Sequence, residues 1–405
     1  MKLSVACTFE PGLIGRVTAA PEVYEVYGKL QSDCIGGGRS SYTLRKITRA
    51  TLARSVVEAH NHHIGFNYLI NGATLGGTEQ TRTGQRSIRK LLDFIDATGV
   101  DSVTVASPYL LKLVKKLHPR FTTRVSAFAC IDSPQKALQW QDMGADTLCI
   151  SAIGANRDFR KLQKIRSAVS CDLQLIANAN CLPGCSHELA HMNMLSQSSR
   201  KGDRLKGFCV DYCILHCSAA RLSNPVNLIR GIWIRPEDLP IYENLGYHNF
   251  KIVERSCPGD LLVKRVQAYA GRWFEGNLLE LVGQVAQIKK EQGATLGMRL
   301  GMLRRFFKPT FVRMSSVLKL KHYAEQIIMH DFSASSAPVY IDNRSLDGFL
   351  EKFASKECDQ TNCESCGLCL EWEKKAIRID EAYRKDVLSR ASDLESGLYT
   401  GAHWF

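Results

Sequence analysis

Short runs rich in β-branched and other apolar residues return eight times between Leu3 and Val253, separated by segments whose apolar residues recur at helical spacing. The runs are Leu3–Cys7, Val23–Tyr27, Phe66–Ile70, Ser102–Val105, Val125–Cys130, Thr147–Ser151, Leu173–Ala177 and Phe250–Val253. Between them, Ile88, Leu91, Leu92 and Ile95, or Leu110, Leu113, Val114 and Leu117, each define one apolar helix stripe. One unit shows the boundaries well: Ser133 is placed to N-cap, Pro134 suits the first helical turn, and Gly144 stops the helix before the next strand. Eight strand-helix repeats predict an α/β fold, a (β/α)8 TIM-like barrel with its active-site residues at the C-terminal strand ends. A doubly wound open sheet has the same alternation, and spacing does not show closure.

The pattern breaks twice. A cysteine-rich insertion at 178–230 precedes the last strand, and after about residue 285 the repeats give way to a strand-like Pro338–Ile341 and a cysteine cluster. A chain of 405 residues exceeds the roughly 100 to 200 of one ordinary domain. The expected division is a barrel domain at 1–300 carrying the insertion, then a small cysteine-rich C-terminal domain at 301–405. No apolar run approaches the roughly 18 residues of a membrane helix. Leu3–Cys7 is cut short by Thr8, Phe9 and Glu10 with no small-residue cleavage site, so no signal peptide is expected and the cytoplasm is the expected location.

That location decides how fifteen cysteines are read. In a reducing compartment, closely spaced cysteines read as metal ligands and scattered ones as small buried hydrophobes. Cys358, Cys363, Cys366 and Cys369 form C-x4-C-x2-C-x2-C, a spacing that lets one loop wrap an iron-sulfur cluster or a structural zinc. The close spacing of the last three favours iron-sulfur without deciding it. A more dispersed group comprises Cys181, Cys185, Cys209, Cys213, Cys217 and Cys257, near the ends of the last strands, where a barrel would place a catalytic cofactor.

Three further features compete for a chemical role. His187-Glu188-Leu189-Ala190-His191 is formally H-E-x-x-H, which on a helix sets two imidazoles on one face for zinc with a glutamate base beside them. Gly36-Gly37-Gly38-Arg39 follows the second strand; it is either a turn or a place where backbone N–H groups and Arg39 meet an anion. The net charge of +13 is concentrated between Lys289 and Lys321, a stretch suited to RNA phosphates or simply to solvent.

Several of these pieces resemble, in order, the peptidase U32 family of collagenase-like proteins. They are Asn-Cys-Leu-Pro-Gly-Cys at 180–185 with His191 and Asn193, Asp211-Tyr212 before Cys217, and Trp233-Ile-Arg-Pro-Glu-Asp-Leu239. Gly246, Phe250-Lys-Ile252, Arg255, Gln267-Ala-Tyr269 and Gly276-Asn-Leu278 complete the series. The resemblance covers about residues 1–280 and implies a barrel. It further implies an oxygen-independent hydroxylase with a 4Fe-4S cluster, acting on a quinone precursor or on RNA with prephenate as oxygen donor. The implied barrel ligands are Cys181, Cys185, Cys217 and Cys257, with Cys213 as a substitute. The tail cysteines would be an extension holding a second cluster or zinc. Two departures bear on the substrate: Gln174-Leu-Ile-Ala-Asn178 stands where the family has a glutamate-rich strand, and the first cysteine pair is closer together than usual.

A small anionic co-substrate of the prephenate kind needs at least two cations, and Arg39, Arg82 and Arg255 are the candidates because each follows a proposed strand. Three functions remain open: an iron-sulfur hydroxylase or oxidoreductase acting on a metabolite, peptide or RNA; a peptidase; and a non-catalytic, cluster-bearing binding subunit. RNA or a paired family subunit are the macromolecular partners these readings allow.

Overall fold

The computed structural model describes residues 1–204, 207, 209–283, 312–328, 332, 336–355, 358 and 363–405. Eight parallel strands follow one another around a closed barrel: β1 Lys2–Ala6, β2 Val23–Gly28, β3 Gly65–Ile70, β4 Ser102–Val105, β5 Thr122–Val125, β6 Thr147–Cys149, β7 Asp172–Ile176 and β8 Asn249–Ile252. Leu3 pairs with Val23 on one side and with Phe250 on the other, so β8 closes onto β1 and the open-sheet alternative falls. Each βα unit returns the chain to the same end, which gives every strand the same direction.

Seven expected strands lie within two residues of the observed ones. The fifth is displaced: β5 is Thr122–Val125, and the expected Val125–Cys130 enters it by one residue only. Beyond Val125 the Ser126 hydroxyl accepts from the Phe128 N–H and starts a 3-10 turn at Ala127–Ala129, which Cys130 ends at φ 49°. The apolar run continues past the strand because those residues line the barrel mouth. The helix after it behaves as its sequence predicts, since Ser133 accepts from the Lys136 N–H, Pro134 opens the first turn and Gly144 adopts φ +94°.

The barrel interior is polar at its middle. The Arg124 guanidinium donates to Glu25, which also accepts from Ser4 Oγ at 2.6 Å and Ser102 Oγ at 3.0 Å. Asn67 Nδ2 donates to Ser102 Oγ at 2.8 Å, and Arg124 Nη2 to the Tyr24 hydroxyl at 2.9 Å. Burial raises the Glu25 carboxyl, but Arg124 and the hydroxyl donors overcome it and hold the group below its ordinary value.

The C-terminal residues pack back onto the barrel. β9 Val339–Ile341 and β10 Ile377–Ile379 form an antiparallel pair, while helix Glu381–Thr400 lies against helix Tyr212–Ser223 of the cysteine-rich insertion. The boundary expected near residue 300 falls outside the described residues, as does the basic stretch as far as residue 311. On either side of that gap one hydrophobic core is shared, running from Leu3 through Trp233 to Phe349 and Leu394. Among the described residues no helix is long and apolar enough to cross a membrane.

Arg235 is the polar fastener of this junction. It is 1% exposed, pairs with Asp238 through two N–H groups at 2.8 and 2.9 Å, and reaches the Asn343 carbonyl at 2.8 Å and Asp347 at 3.1 Å. Arg235→Ala strands the buried Asp238 carboxylate and should cost about 3–5 kcal/mol. Asp347→Asn, at the exposed end, should cost less than about 1 kcal/mol. Urea unfolding of both variants against the native chain measures the contrast, and equal losses would contradict it.

Candidate functional site

The C-terminal strand ends carry a ring of charged and phenolic side chains. After β2, Lys29 Nζ pairs with Asp33 Oδ2 at 2.9 Å, and the same oxygen accepts from the Tyr68 hydroxyl at 3.0 Å. Asp33 Oδ1 takes the N–H groups of Ile35 and Gly36 at 3.0 and 2.8 Å, and the Gly37 N–H goes to Ser199 Oγ at 2.6 Å. The glycine run is therefore not an open anion cradle, because these N–H groups are already committed. Gly36, at φ +84°, is needed because a Cβ there would run into the Ser196 carbonyl of helix Glu188–Ser198.

Arg39 leaves that run and grips Glu254 with two bonds, Nε to Oε1 at 3.2 Å and Nη2 to Oε2 at 2.9 Å. Glu254 follows β8 at φ 108°, a backbone region that non-glycine residues avoid at a cost on the order of 1–3 kcal/mol. Burial works against its charge, yet the Arg39 guanidinium holds the carboxyl down to about 2. The strained residue fixes its neighbour Arg255, which is 7% exposed and lies among Tyr27, Arg39, Glu254 and Tyr68. Deeper in the barrel, Lys251 Nζ sits 3.9 Å above the Tyr27 ring.

These cations differ in one decisive respect. Lys29, Arg39 and Arg124 each have a carboxylate partner, Asp33, Glu254 and Glu25. Among the described residues no carboxylate pairs with Lys251 or Arg255, although both are buried. Burial pushes the Lys251 ammonium down to about 8 and the Arg255 guanidinium down to about 10. Uncompensated buried charge is costly, and these two groups carry it where their neighbours do not. Of the three expected arginines, the structure joins Arg39 and Arg255; Arg82 stands exposed at the first position of helix Arg82–Ala97.

The thiols lie beside this ring. Cys181 follows β7, its carbonyl accepting from the Ile232 N–H at 3.2 Å, and Cys185 leads into helix Glu188–Ser198. Cys217 is on helix Tyr212–Ser223, where Arg221 Nη1 reaches its sulfur at 3.7 Å. Cys181, Cys185 and Cys217 are electrostatic neighbours of one another, with Arg39 acting on Cys181 and Cys213 next to Cys185 and Cys217. Cys257 lies after β8 and donates to the Glu254 carbonyl at 3.2 Å. Burial pushes Cys181 up to about 11 and Cys257 up to about 12, so an incoming metal would have to displace the thiol protons. As placed, no three His, Cys, Asp or Glu side chains among the described residues surround a common point. The chemistry of the donors nonetheless suits a thiolate-held centre: the sulfurs are free of disulfides, with Arg221 beside Cys181 and Cys217, although Asp211 also neighbours Cys213 and Cys217 and Glu254 neighbours Cys257.

The H-E-x-x-H string does not gather its side chains. His187 precedes the helix and stacks on His216 with ring centroids 4.2 Å apart; His191 Nε2 is 3.2 Å from Asp211. Glu188 instead accepts from Ser151 Oγ at 3.2 Å, and burial pushes its carboxyl up. In the tail, Cys363–Cys366 form a short helix, and Cys369, on helix Leu368–Ala376, is an electrostatic neighbour of Cys358.

The model of peptidase family U32 matches residues 32–269. The chain belongs to peptidase family U32. The matched span of this U32 chain takes in Arg39, Arg255 and the four barrel cysteines and stops before the tail. An uncharacterized protease of Methanocaldococcus jannaschii is 29% identical over 358 residues, 88% of this chain and 90% of its own. A solved U32 peptidase, Mk0906, is 20% identical with a TM-score of 0.46, over 64% of this chain and 94% of that one. Phosphoribosyl anthranilate isomerase of Thermus thermophilus is 9% identical with a TM-score of 0.36, over 67% of this chain and 98% of its own.

Lys251, Lys29 with Asp33, Tyr27 and Tyr68 were not singled out by sequence reasoning. One signal existed: a lysine at an alternate position of an apolar barrel strand, two residues from Asn249, must point inward. The Lys251 amine should titrate near about 8, against about 10.4 for an ordinary lysine. Competitive acylation across a pH series, read by peptide mass spectrometry, measures this. A midpoint at the ordinary value would show that the amine is hydrated or paired.

Proposed function

We propose that this U32 chain is an iron-sulfur-dependent enzyme, an oxygen-independent hydroxylase or oxidoreductase, that holds a small dicarboxylate-like anion at the barrel mouth. The observation that carries the reading is the pair of buried cations without carboxylate partners, Lys251 and Arg255, next to the thiol group that begins at Cys181. Lys251 and Arg255 would take the anion's charged ends. Arg39, locked on Glu254, would orient the site and lend positive charge to Cys181. Tyr27 and Tyr68 would wall the anion and exclude water, since both are buried. Cys181, Cys185, Cys217 and Cys257 would hold the 4Fe-4S cluster, with Cys213 as a substitute. A bound cluster supplies one-electron chemistry.

The second substrate falls within metabolites, peptides and RNA. An RNA substrate would meet the basic stretch at 289–321, and a paired family subunit would be a partner of the same kind of reaction. The cytoplasm suits thiols that must stay free until they are loaded.

The printed name of the Methanocaldococcus jannaschii relative favours the other reading, a peptidase, in which Glu188 would be a general base. Glu188 bonds Ser151 while His187 stacks on His216 and His191 meets Asp211, which weighs against a zinc site of that kind.

Anaerobic purification tests the two readings. The expected protein is brown with absorbance near about 400 nm. Cys217→Ser should lose the barrel iron, and Arg255→Gln should weaken anion binding by about 2–5 kcal/mol. Glu188→Gln should leave both unchanged. A colourless zinc protein whose peptidase activity drops by about two orders of magnitude on Glu188→Gln would overturn the iron-sulfur assignment.

A further inference from the structure

Arg157 is an anomaly outside the barrel mouth. It follows helix Ala152–Ala155 on the β6 side of the barrel and is 4% exposed. Its Nε donates to the Gly231 carbonyl at 2.9 Å, but Nη1 and Nη2 are buried with no hydrogen-bond partner among the described residues. The guanidinium lies 4.3 Å from the centre of the Trp233 ring and 5.5 and 5.6 Å from those of Phe349 and Phe353. Its acidic neighbour, Asp238, is already held by both N–H groups of Arg235. A buried, always-charged group with two idle donors is a strong indication of a missing anionic partner.

The tail supplies the direction in which that partner lies. Helix Leu368–Ala376 packs on helix Val226–Ile229, and this makes Arg230 and Arg157 the electrostatic neighbours of Cys369. Arg230 Nε is likewise buried with no partner among the described residues. Cys358 is an electrostatic neighbour of Cys369. Two barrel guanidinium groups with unused N–H donors therefore face the tail cysteine run.

We propose that Cys358, Cys363, Cys366 and Cys369 hold a second metal centre, a tetrathiolate dianion, and that Arg157 and Arg230 of the barrel are its counter-ions. The charge logic is the same for the two metals that such a set takes. A zinc ion, or a cubane cluster in its usual oxidised state, held by four thiolates leaves a dianion. Two guanidinium groups match it in charge, and their idle N–H groups match the acceptor character of coordinated sulfur. The centre joins the tail to the barrel as well as binding metal, because its ligands come from the tail and its counter-ions from the βα side of the barrel. It is independent of the cluster proposed at the mouth.

The test uses the full chain purified without chelator, with zinc, iron and acid-labile sulfide measured per chain. Cys366→Ser, at an exposed position, and Cys366→Ser/Cys369→Ser should each remove the metal of one centre while circular dichroism and any iron at the mouth stay as in the native chain. Loss of zinc alone identifies a zinc centre; loss of iron with sulfide identifies a cluster. Arg230→Gln and Arg157→Gln should release that metal to a chelator at least about tenfold faster, and Arg157→Lys should fall between. Native contents of zinc, iron and sulfide in the double cysteine variant would overturn the site. Native release rates in all three arginine variants would overturn the counter-ion role. Absence of iron at the mouth with the tail metal retained would count against the proposed function and leave this inference standing.

Discussion

The Glu25–Arg124 ion pair at the centre of the barrel is the interaction around which the rest is organised. Closing eight strands sends alternate side chains of every strand into one narrow space, which must be filled without voids. Most barrels of this kind fill that space with branched aliphatic groups; this chain uses a charged pair wrapped by Ser4, Asn67, Ser102 and Tyr24. Both Glu25 oxygens and both Arg124 Nη groups find partners, while Arg124 Nε is left without one among the described residues, and β1 to β5 are tied in one register by these side-chain bonds as well as by their backbone ladders.

A polar middle also prepares the mouth above it. Lys251 shares the interior with Glu25 and Arg124 but lies out of reach of an ion pair, and Arg255 is fixed by the strained Glu254 that Arg39 grips. The fold thus pairs its carboxylates with Lys29, Arg39 and Arg124 and leaves Lys251 and Arg255 without one among the described residues. Strain at Glu254 is sustained because the pair with Arg39 and the bonds from Ser256 hold the residue from several sides.

The tail repeats that logic on the outside. Arg235 is satisfied by Asp238 and Asn343, while Arg157, a neighbour in the same aromatic packing around Trp233, keeps idle donors. Satisfied arginines hold the structure together; the unsatisfied ones, here Arg157 and Arg255, are those on which the two proposals rest.

How much of this was legible depends on the range of the interaction concerned. Seven of the eight strands, the helix from Pro134 and the short β9 were readable because periodicity, capping and proline placement act within a few residues. Both cysteine groups were readable because thiols at close spacing are distinctive wherever they fold. Closure was not, since the pairing of Leu3 with Phe250 spans nearly the whole barrel sequence and no local signal reports it. The end of β5 was missed for a related reason: strand length is set by neighbouring strands, while the apolar run continues into the mouth. The H-E-x-x-H string has the right spacing, yet His187 stacks on His216 and His191 turns to Asp211, because the helix begins only at Glu188 and distant residues capture the rings. The sequence by itself determined the strand-helix alternation and supplied the sulfurs and cations. Only the tertiary structure decided which cations found carboxylates, because burial and pairing depend on the residues that closure of the barrel brings together.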